Sequence, residues 1–292
     1  MKGDSGITNG KKMNTAIMMC CFNRKEKTRS CLESILNQIG QNMEKNFDIY
    51  VYDDHSTDGT VEMIQSEYPQ VTLFKGKGNA YWCRGMHYLM RYVQSRKYDF
   101  YLMVNDDVVF YHNAIQIMFK TYDKIGISCG IVGTCQSRIT GEYTYGGRNE
   151  RQQSIIPTKE PQLCSLANWN CFLIDNKVIA KVGIIDGKYQ HAFGDYDYSF
   201  RMLQNQVPIY VAAGYVGICE LNSYEGSYLD ASLPRWVRFK KLLSPKGLPF
   251  YSFLRYNCKT KGILNGLKAS VYGYASSIYY IVRRKEFYKG HL

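Results

Sequence analysis

The stretch Tyr101 to Val109, YLMVNDDVV, is an apolar run that ends abruptly in an amide and two adjacent carboxylates. A short continuous apolar run of this kind predicts a strand buried on both faces. The same punctuation occurs twice upstream: TAIMMCCF (Thr15 to Phe22) breaks at Asn23-Arg24-Lys25, and Phe47 to Tyr52 runs into DDHSTDGT. Between these runs, Glu26 to Gln38 is followed closely by Ile39 and carries Leu32, Ile35 and Leu36 at helical spacing. Gly59-Thr60 opens a second amphipathic segment with Val61 and Ile64, closed by Pro69. VTLFK reads as a third short strand and Ala80 to Arg96 as a helix rich in aromatics.

Such alternation of strand and helix predicts parallel βαβ units with right-handed crossovers, an α/β fold. In these sheets ligands gather beyond the carboxyl ends of the strands. That is where Asn23-Arg24, Asp53-Asp54 and Asn105-Asp106-Asp107 fall. Further on, Gly130 to Gly147 has the look of strands and turns at the edge of a mixed sheet. Leu163 to Ile174 is an apolar stretch interrupted by Asn168-Trp169-Asn170, Asn176 to Val182 a short helix, and Pro208 to Val216 the last strand. FGDYDYSFRML starts a helix with its acids in the first turn, where the macrodipole favours them.

With 292 residues, 45% of them hydrophobic and 21% charged, the chain is long enough for one large domain with an appendage and is ordinary in composition. Its net charge of +12 is localised: from Arg235 onward thirteen Lys or Arg face the single acid Glu286, and the residues before it are balanced. Ten cysteines without a CxxC pair or zinc spacing, most of them in apolar runs, suit buried thiols in a reducing, cytoplasmic compartment. Residues 1–14, polar and Gly-rich, are expected to be a mobile N-terminus and not a signal peptide, and no uncharged run has the length of a spanning helix.

Three acidic constellations carry possible chemistry. Asp106 and Asp107 end a strand, where neighbouring side chains point to opposite faces, so both serve one site only if the chain has already turned. A hard divalent cation commonly takes one or two carboxylates plus substrate phosphates; a solvated turn is the plainer alternative. Asp53 and Asp54 end another strand and can accept from a base or a ribose hydroxyl, whereas Asp58 beside Gly59 suits a helix start. Asp195 and Asp197 lie at a helix N-terminus. Asp195 is assigned as base and Asp197 as structural partner to Arg201 four residues on. His191 is either an acceptor-site group or a loop histidine.

The ordered set formed by NR after the first strand, DDHSTDGT, GNAYWCRGM, NDDV and GDYDYSFR resembles family 2 glycosyltransferases of the GT-A fold. The likeness is greatest to bacterial members that build rhamnose- or galactofuranose-containing surface polysaccharides, and it covers roughly residues 15 to 220. The resemblance implies a Rossmann-like, mainly parallel mixed sheet flanked by helices. Residues 15–110 would form a donor half and 111–234 an acceptor half. A nucleotide-diphosphate sugar would lie with Asn23, Arg24 and Asp54 near the nucleoside. Asn79, Trp82, Arg84 and Gly85 would stand near the ribose, pyrophosphate or sugar. Asn105 and Asp106 would belong to a DxD-type motif in which Asp107 is the direct ligand of Mg²⁺ or Mn²⁺. Asp195 matches the base of inverting members, and Trp169 falls on the acceptor side. Two departures stand out: the motif begins with an amide, and Val216 to Cys219 lacks the histidine many relatives place after the last strand.

Residues 235–292 form a basic extension. Leu267, Val271, Tyr274, Ala275, Ile278 and Val282 recur at helical spacing, and Arg283-Arg284-Lys285 closes the series. A basic helix with interfacial aromatics suits an anionic membrane surface; equally, the face could pack on the catalytic domain or on a second copy. Membrane attachment, peripheral at the inner face of the cytoplasmic membrane, would suit a glycan acceptor linked to polyprenyl diphosphate. No groove-reading module points to nucleic acid. GxGxxG after the first strand and a Lys-bearing phosphate loop are both absent, which weakens a dinucleotide oxidoreductase or nucleotidyltransferase. A noncatalytic nucleotide-sugar-binding scaffold is the remaining alternative.

Overall fold

The computed structural model describes residues 13–39 and 45–283. Of the N-terminal segment expected to be mobile, residues 1–12 lie outside the described residues. Met13 and Asn14 already belong to β1 (Met13–Cys21), where the Asn14 backbone N–H donates to the Asp99 carboxylate at 2.9 Å. The βαβ units follow as α1 (Lys25–Ile39), β2 (Lys45–Asp53), α2 (Thr60–Glu67), β3 (Thr72–Lys75), α3 (Tyr81–Val93) and β4 (Phe100–Asn105). Strands β3, β2, β1 and β4 lie side by side in that order, all parallel.

The continuous apolar runs are explained by burial on both faces. In β1, Ile17, Met19 and Cys21 enter one apolar cluster with α1 and α2, while Ala16, Met18 and Cys20 enter another with α3. β4 divides likewise, Leu102 and Val104 to the first and Tyr101 and Met103 to the second. Burying each such side chain stabilises by roughly 1.5–3 kcal/mol. Gly85 is part of this packing: a Cβ there would meet Cys20 Sγ and Tyr52 Cδ1, each at 2.9 Å, so glycine lets α3 seat on β1 and β2. Gly85 is itself buried in this packing.

The chain continues through β5 (Val109–Phe110), α4 (Ala114–Ile125), β6 (Gly130–Gln136), β7 (Tyr143–Tyr145), β8 (Gly147–Arg148), β9 (Gln162–Cys164), β10 (Leu166–Ala167), β11 (Cys171–Asp175), α5 (Asn176–Val182), α6 (Gly194–Gln204) and β12 (Ile209–Ile218). Beyond β4 the sheet adds β11, β6, β12 and β5. β11 is antiparallel to both neighbours, β12 is parallel to β6, and β5 is antiparallel to β12. The result is the expected mixed, mainly parallel α/β sheet. One detail differs: β6 runs through the interior of the sheet, and only its hairpin partner β7 is peripheral. Gly133 explains the fit, since a Cβ there would come within 2.6 Å of Val216 Cγ2 on β12.

Three helices form the C-terminal extension: α7 (Arg235–Leu242), α8 (Phe250–Lys261) and α9 (Ile263–Arg283). α8 packs on the catalytic domain. Asp197, fully buried, accepts from Lys259 Nζ of α8 at 2.6 Å, from Arg201 Nε at 3.0 Å and from the Tyr189 hydroxyl at 3.0 Å. Arg255 pairs with Asp186 at 2.7 Å, and Tyr256 stacks on Phe193 with ring centroids 5.3 Å apart. α9 is built inside out. Its buried positions include the small residues Gly266, Ser270 and Ser277, while Leu267, Val271, Ile278 and Val282 of the expected apolar series are exposed. Tyr274 departs from that series: its hydroxyl donates to the Leu248 carbonyl at 2.5 Å. Arg284 and Lys285 lie outside the described residues.

Candidate active site

At the carboxyl end of β1 the backbone turns at Asn23, whose φ of 50° lies in the left-handed region, and α1 begins two residues later. Asn23 is exposed. Its Oδ1 accepts from the Thr57 N–H at 2.7 Å and its own N–H donates to Ser56 Oγ at 2.8 Å, which ties this corner to DDHSTDGT. In that segment Asp53 accepts from the Ser56 N–H, and Asp58 accepts from the backbone N–H groups of Lys25 and Thr60, so Asp58 serves the first turns of α1 and α2. Asp54 was expected to address the nucleoside. Its buried carboxylate gathers the N–H groups of Gly78, Ala80 and Tyr81 at 3.1, 3.2 and 2.8 Å, which shapes the loop leading into α3. Beside this loop a cavity of about 280 Å³ is lined by Tyr52, Phe74, Asn79 and Tyr88 among others. A larger hollow of about 550 Å³ lies at the amino end of β4, around Tyr98 and Asp99, away from these polar groups.

β4 ends at Asn105, and the chain then turns, so Asp106 and Asp107 both face Arg24. Arg24 Nη1 reaches Asp106 Oδ1 at 3.1 Å and Asp107 Oδ2 at 2.9 Å. Burial pushes the Asp106 carboxyl up to about 7, against the lowering effect of Arg24. Asp106 Oδ2 and Asn105 Oδ1 are buried and have no partner among the described residues. Behind Asp107, Cys219 donates its thiol to Asp107 Oδ1 at 3.6 Å and accepts from Asn170 Nδ2 at 3.4 Å. Burial, reinforced by Asp107, raises the Cys219 thiol far above its usual range, so it stays protonated beside Asp107.

Asp195 lies in the first turn of α6. Its Oδ1 accepts from the Tyr196 N–H at 2.9 Å, and the Trp169 backbone N–H also bonds to the carboxylate. Burial lifts its carboxyl to about 6 even so. Trp169 was expected on the acceptor side. Its indole is buried against Phe172, with ring centroids 5.4 Å apart, so only its backbone addresses Asp195. Trp82 meets Trp169 edge-on at 5.9 Å, which carries the wall of the site from α3 to Asp195. The indole nitrogens of Trp82 and Trp169 and Nδ1 of His191 are again buried without partners among the described residues. His191 sits 6.1 Å from the Tyr81 ring and is pushed down to about 4 by burial, then by Lys246 and Arg24, so it is neutral.

Residues 16–183 match the family model of glycosyl transferase family 2. The chain belongs to that family. No curated protein matches it. Among solved structures, S. aureus TarS 1-349 in complex with UDP-GlcNAc is 10% identical with a TM-score of 0.56, over 95% of this chain and 93% of that one. The mannosyltransferase PcManGT from Pyrobaculum calidifontis, in complex with GDP-Man and Mn²⁺, is 12% identical with a TM-score of 0.54, over 91% and 76%. At such identities the likeness establishes the GT-A fold.

In this glycosyltransferase the structure brings together Arg24, Asn105, Asp106, Asp107, Trp82, His191 and Asp195. The Asn79 carbonyl accepts from Gln190 Nε2, next to His191, at 3.1 Å, while Arg84 is exposed on α3. Four residues at the site escaped the sequence reading. Tyr145 of β7 lies by Asp107 and Arg24, and Arg148 of β8 lowers the Asp195 carboxyl. Tyr256 of α8 feels Asp195, and Lys246 faces Asp106. All four depend on long-range packing, and no local motif marks them. For a metal, the unpartnered oxygens of Asn105 and Asp106 are hard donors of the type a Mg²⁺ or Mn²⁺ ion prefers. Among the described residues no cluster of three His, Cys, Asp or Glu side chains could hold an ion.

Proposed function

We propose that this glycosyltransferase is an inverting enzyme that moves a sugar from a nucleotide-diphosphate donor to a glycan hydroxyl. The supporting observation is the contrast between its two acidic groups. Asp106 and Asp107 are held by Arg24 in direct ion pairs, while Asp195 makes no ion pair among the described residues, feels Arg148 only at a distance and is raised to about 6. Asn105 Oδ1, Asp106 Oδ2, Trp82 Nε1, Trp169 Nε1 and His191 Nδ1 are buried without partners among the described residues. A carboxylate tuned upward toward neutrality is suited to take a proton from an attacking hydroxyl. One base and in-line attack invert the anomeric centre without a covalent glycosyl-enzyme. Asp107, Asp106 and Asn105 would hold Mg²⁺ or Mn²⁺ together with the donor's diphosphate, and when bound the ion neutralises charge on the leaving group. Asn23, Asn79 and Trp82 are proposed on the donor side and His191 on the acceptor side.

The acceptor we propose is a polyprenyl-diphosphate-linked glycan of a bacterial surface polysaccharide, met at the inner face of the cytoplasmic membrane. The exposed side of α9 supports this: Ile263 is 73% and Val271 69% exposed, and Lys261, Lys268 and Arg283 lie alongside. An apolar face rimmed by cations suits the headgroup region. No helix among the described residues is long and apolar enough to cross a membrane.

The deciding experiment incubates the protein with UDP-, GDP- and dTDP-sugars, with and without Mn²⁺, and measures nucleotide release and donor binding for wild type and Asp195→Asn. The variant should lose transfer by about 10²–10⁴-fold while binding donor as wild type does. Near-normal turnover would remove Asp195 from the reaction, and donor binding without any release by the wild type would favour a scaffold.

A further inference from the structure

The family match ends at residue 183, yet part of the C-terminal extension reaches the donor side of the site. The connection between α7 and α8 is a tight turn. The Gly247 N–H donates to the Ser244 carbonyl at 2.9 Å and the Leu248 N–H to the Leu242 carbonyl at 2.6 Å. A Cβ on Gly247 would collide with the Lys241 and Leu242 carbonyl oxygens, so only glycine fits there. Leu248 and Leu242 are buried in a small apolar cluster with Ile281, and Phe193, two residues before Asp195, packs against that cluster. The turn is thereby fixed relative to the site.

It presents Lys246. Other cations of the extension are already engaged on the domain side: Arg255 with Asp186, Lys259 with Asp197, and buried Arg238 with the Tyr228 carbonyl. Lys246 makes no hydrogen bond or ion pair among the described residues, and it lies within electrostatic range of Arg24, Asp106 and His191. Two cations, Arg24 and Lys246, therefore converge on one place while His191 stays neutral. Their mutual repulsion has a cost that an anion between them would remove.

We propose that Lys246 completes the donor site as a binding group for the diphosphate, so that the C-terminal extension is a functional wall of the active site. This rests on the donor reading above. On arrival of a diphosphate, Arg24 is already shared with two carboxylates and offers little unspent charge. Lys246, without a partner among the described residues, is a cation free to meet the new oxygens. As a point charge on a flexible stem it can follow a phosphate without demanding bidentate geometry.

The test compares binding of UDP with UMP, and of GDP with GMP, by calorimetry in EDTA and in Mn²⁺, for wild type, Lys246→Met and Lys246→Arg. Because Lys246 is exposed, Lys246→Met should fold normally, and matching thermal midpoints verify that. Losing one charge-assisted contact should weaken the diphosphate by about tenfold or more. The monophosphate should change by less than about twofold, since the contact it lacks is the one removed, and Lys246→Arg should restore most of the loss. Unchanged diphosphate affinity in Lys246→Met, or an equal loss for monophosphate and diphosphate, overturns the proposal. If the wild type binds neither diphosphate in either condition, the donor reading itself fails, and this inference with it.

Discussion

Acidifying the enzyme should switch off transfer along a limb set by Asp195. Its carboxyl stands at about 6 against an ordinary 3.8, a difference of two pH units or about 3 kcal/mol in favour of the neutral form. Burial is the cause, since the Tyr196 and Trp169 N–H groups and Arg148 all act in the opposite direction. At pH 5 about one-tenth of the sites would hold an ionised base, where an unburied aspartate would be almost fully ionised. The assay is kcat/KM from nucleotide release between pH 4.5 and 8.5, which reports the free enzyme. Asp106, lifted to about 7, titrates nearby and could add its own limb. Asp106→Asn separates the two, because the limb near 6 should persist in that variant. A limb lying below pH 4.5, or one that disappears with Asp106→Asn, would refute the assignment of the base.

The same shift fixes the sign of a stability effect. Because the folded state holds the Asp195 proton more tightly than the unfolded chain, this group's contribution is fully present below about 3.8 and is lost as pH rises through about 6. Asp195→Asn removes that loss while its amide oxygen keeps both backbone contacts. The variant should therefore be more stable than wild type at pH 7.5, by up to about 3 kcal/mol, and equal to it near pH 3.5. A variant that is inactive yet more thermostable at neutral pH is what a base held at a cost predicts.

Three further outcomes follow from packing. Lys259→Met leaves buried Asp197 with only Arg201 and Tyr189, which should cost about 1–3 kcal/mol in urea unfolding; no change would mean that α8 is not anchored there. Gly194→Ala drives a Cβ into Cys83 Sγ, so it should lower the thermal midpoint by an amount corresponding to about 1–3 kcal/mol and reduce turnover by displacing Asp195. Asp54→Ala strands three backbone N–H groups at about 1–3 kcal/mol for each one left buried. It should raise the donor KM more than it lowers kcat, measured by initial rates over donor concentration.

The elements that could be read in advance are those whose burial is written locally. β1 and β4 are packed on both faces and therefore appear as unbroken apolar runs, and α5 falls at the expected residues 176–182 because strand burial stops and helical spacing begins there. The insertion of β11 antiparallel between β4 and β6 was not readable, since it depends on pairing between segments about seventy and forty residues apart. The same limit holds in the site. Arg24 and Asp106 were each singled out, but not their meeting across the β1–β4 junction. A carboxylate after a strand looks alike in sequence whether it faces a ribose or three backbone N–H groups, so the bonds Asp54 makes to the loop before α3 have no local signature. Lys246 and Tyr256 lie in a segment whose composition speaks only of charge and aromatics.

The amide at position 105 fits the electrostatics of the strand end. Asp106 is already lifted to about 7 by burial, with Asp107 nearby adding to the cost of its charge, and one guanidinium serves both. A third carboxylate in the same turn would raise that cost further, and one of the three would hold a proton through neutral pH. Asn105 supplies a buried oxygen at the same place with no added charge. The departure from an all-acid motif thus keeps the turn's negative charge within what Arg24 can balance, and leaves Lys246 for an incoming anion.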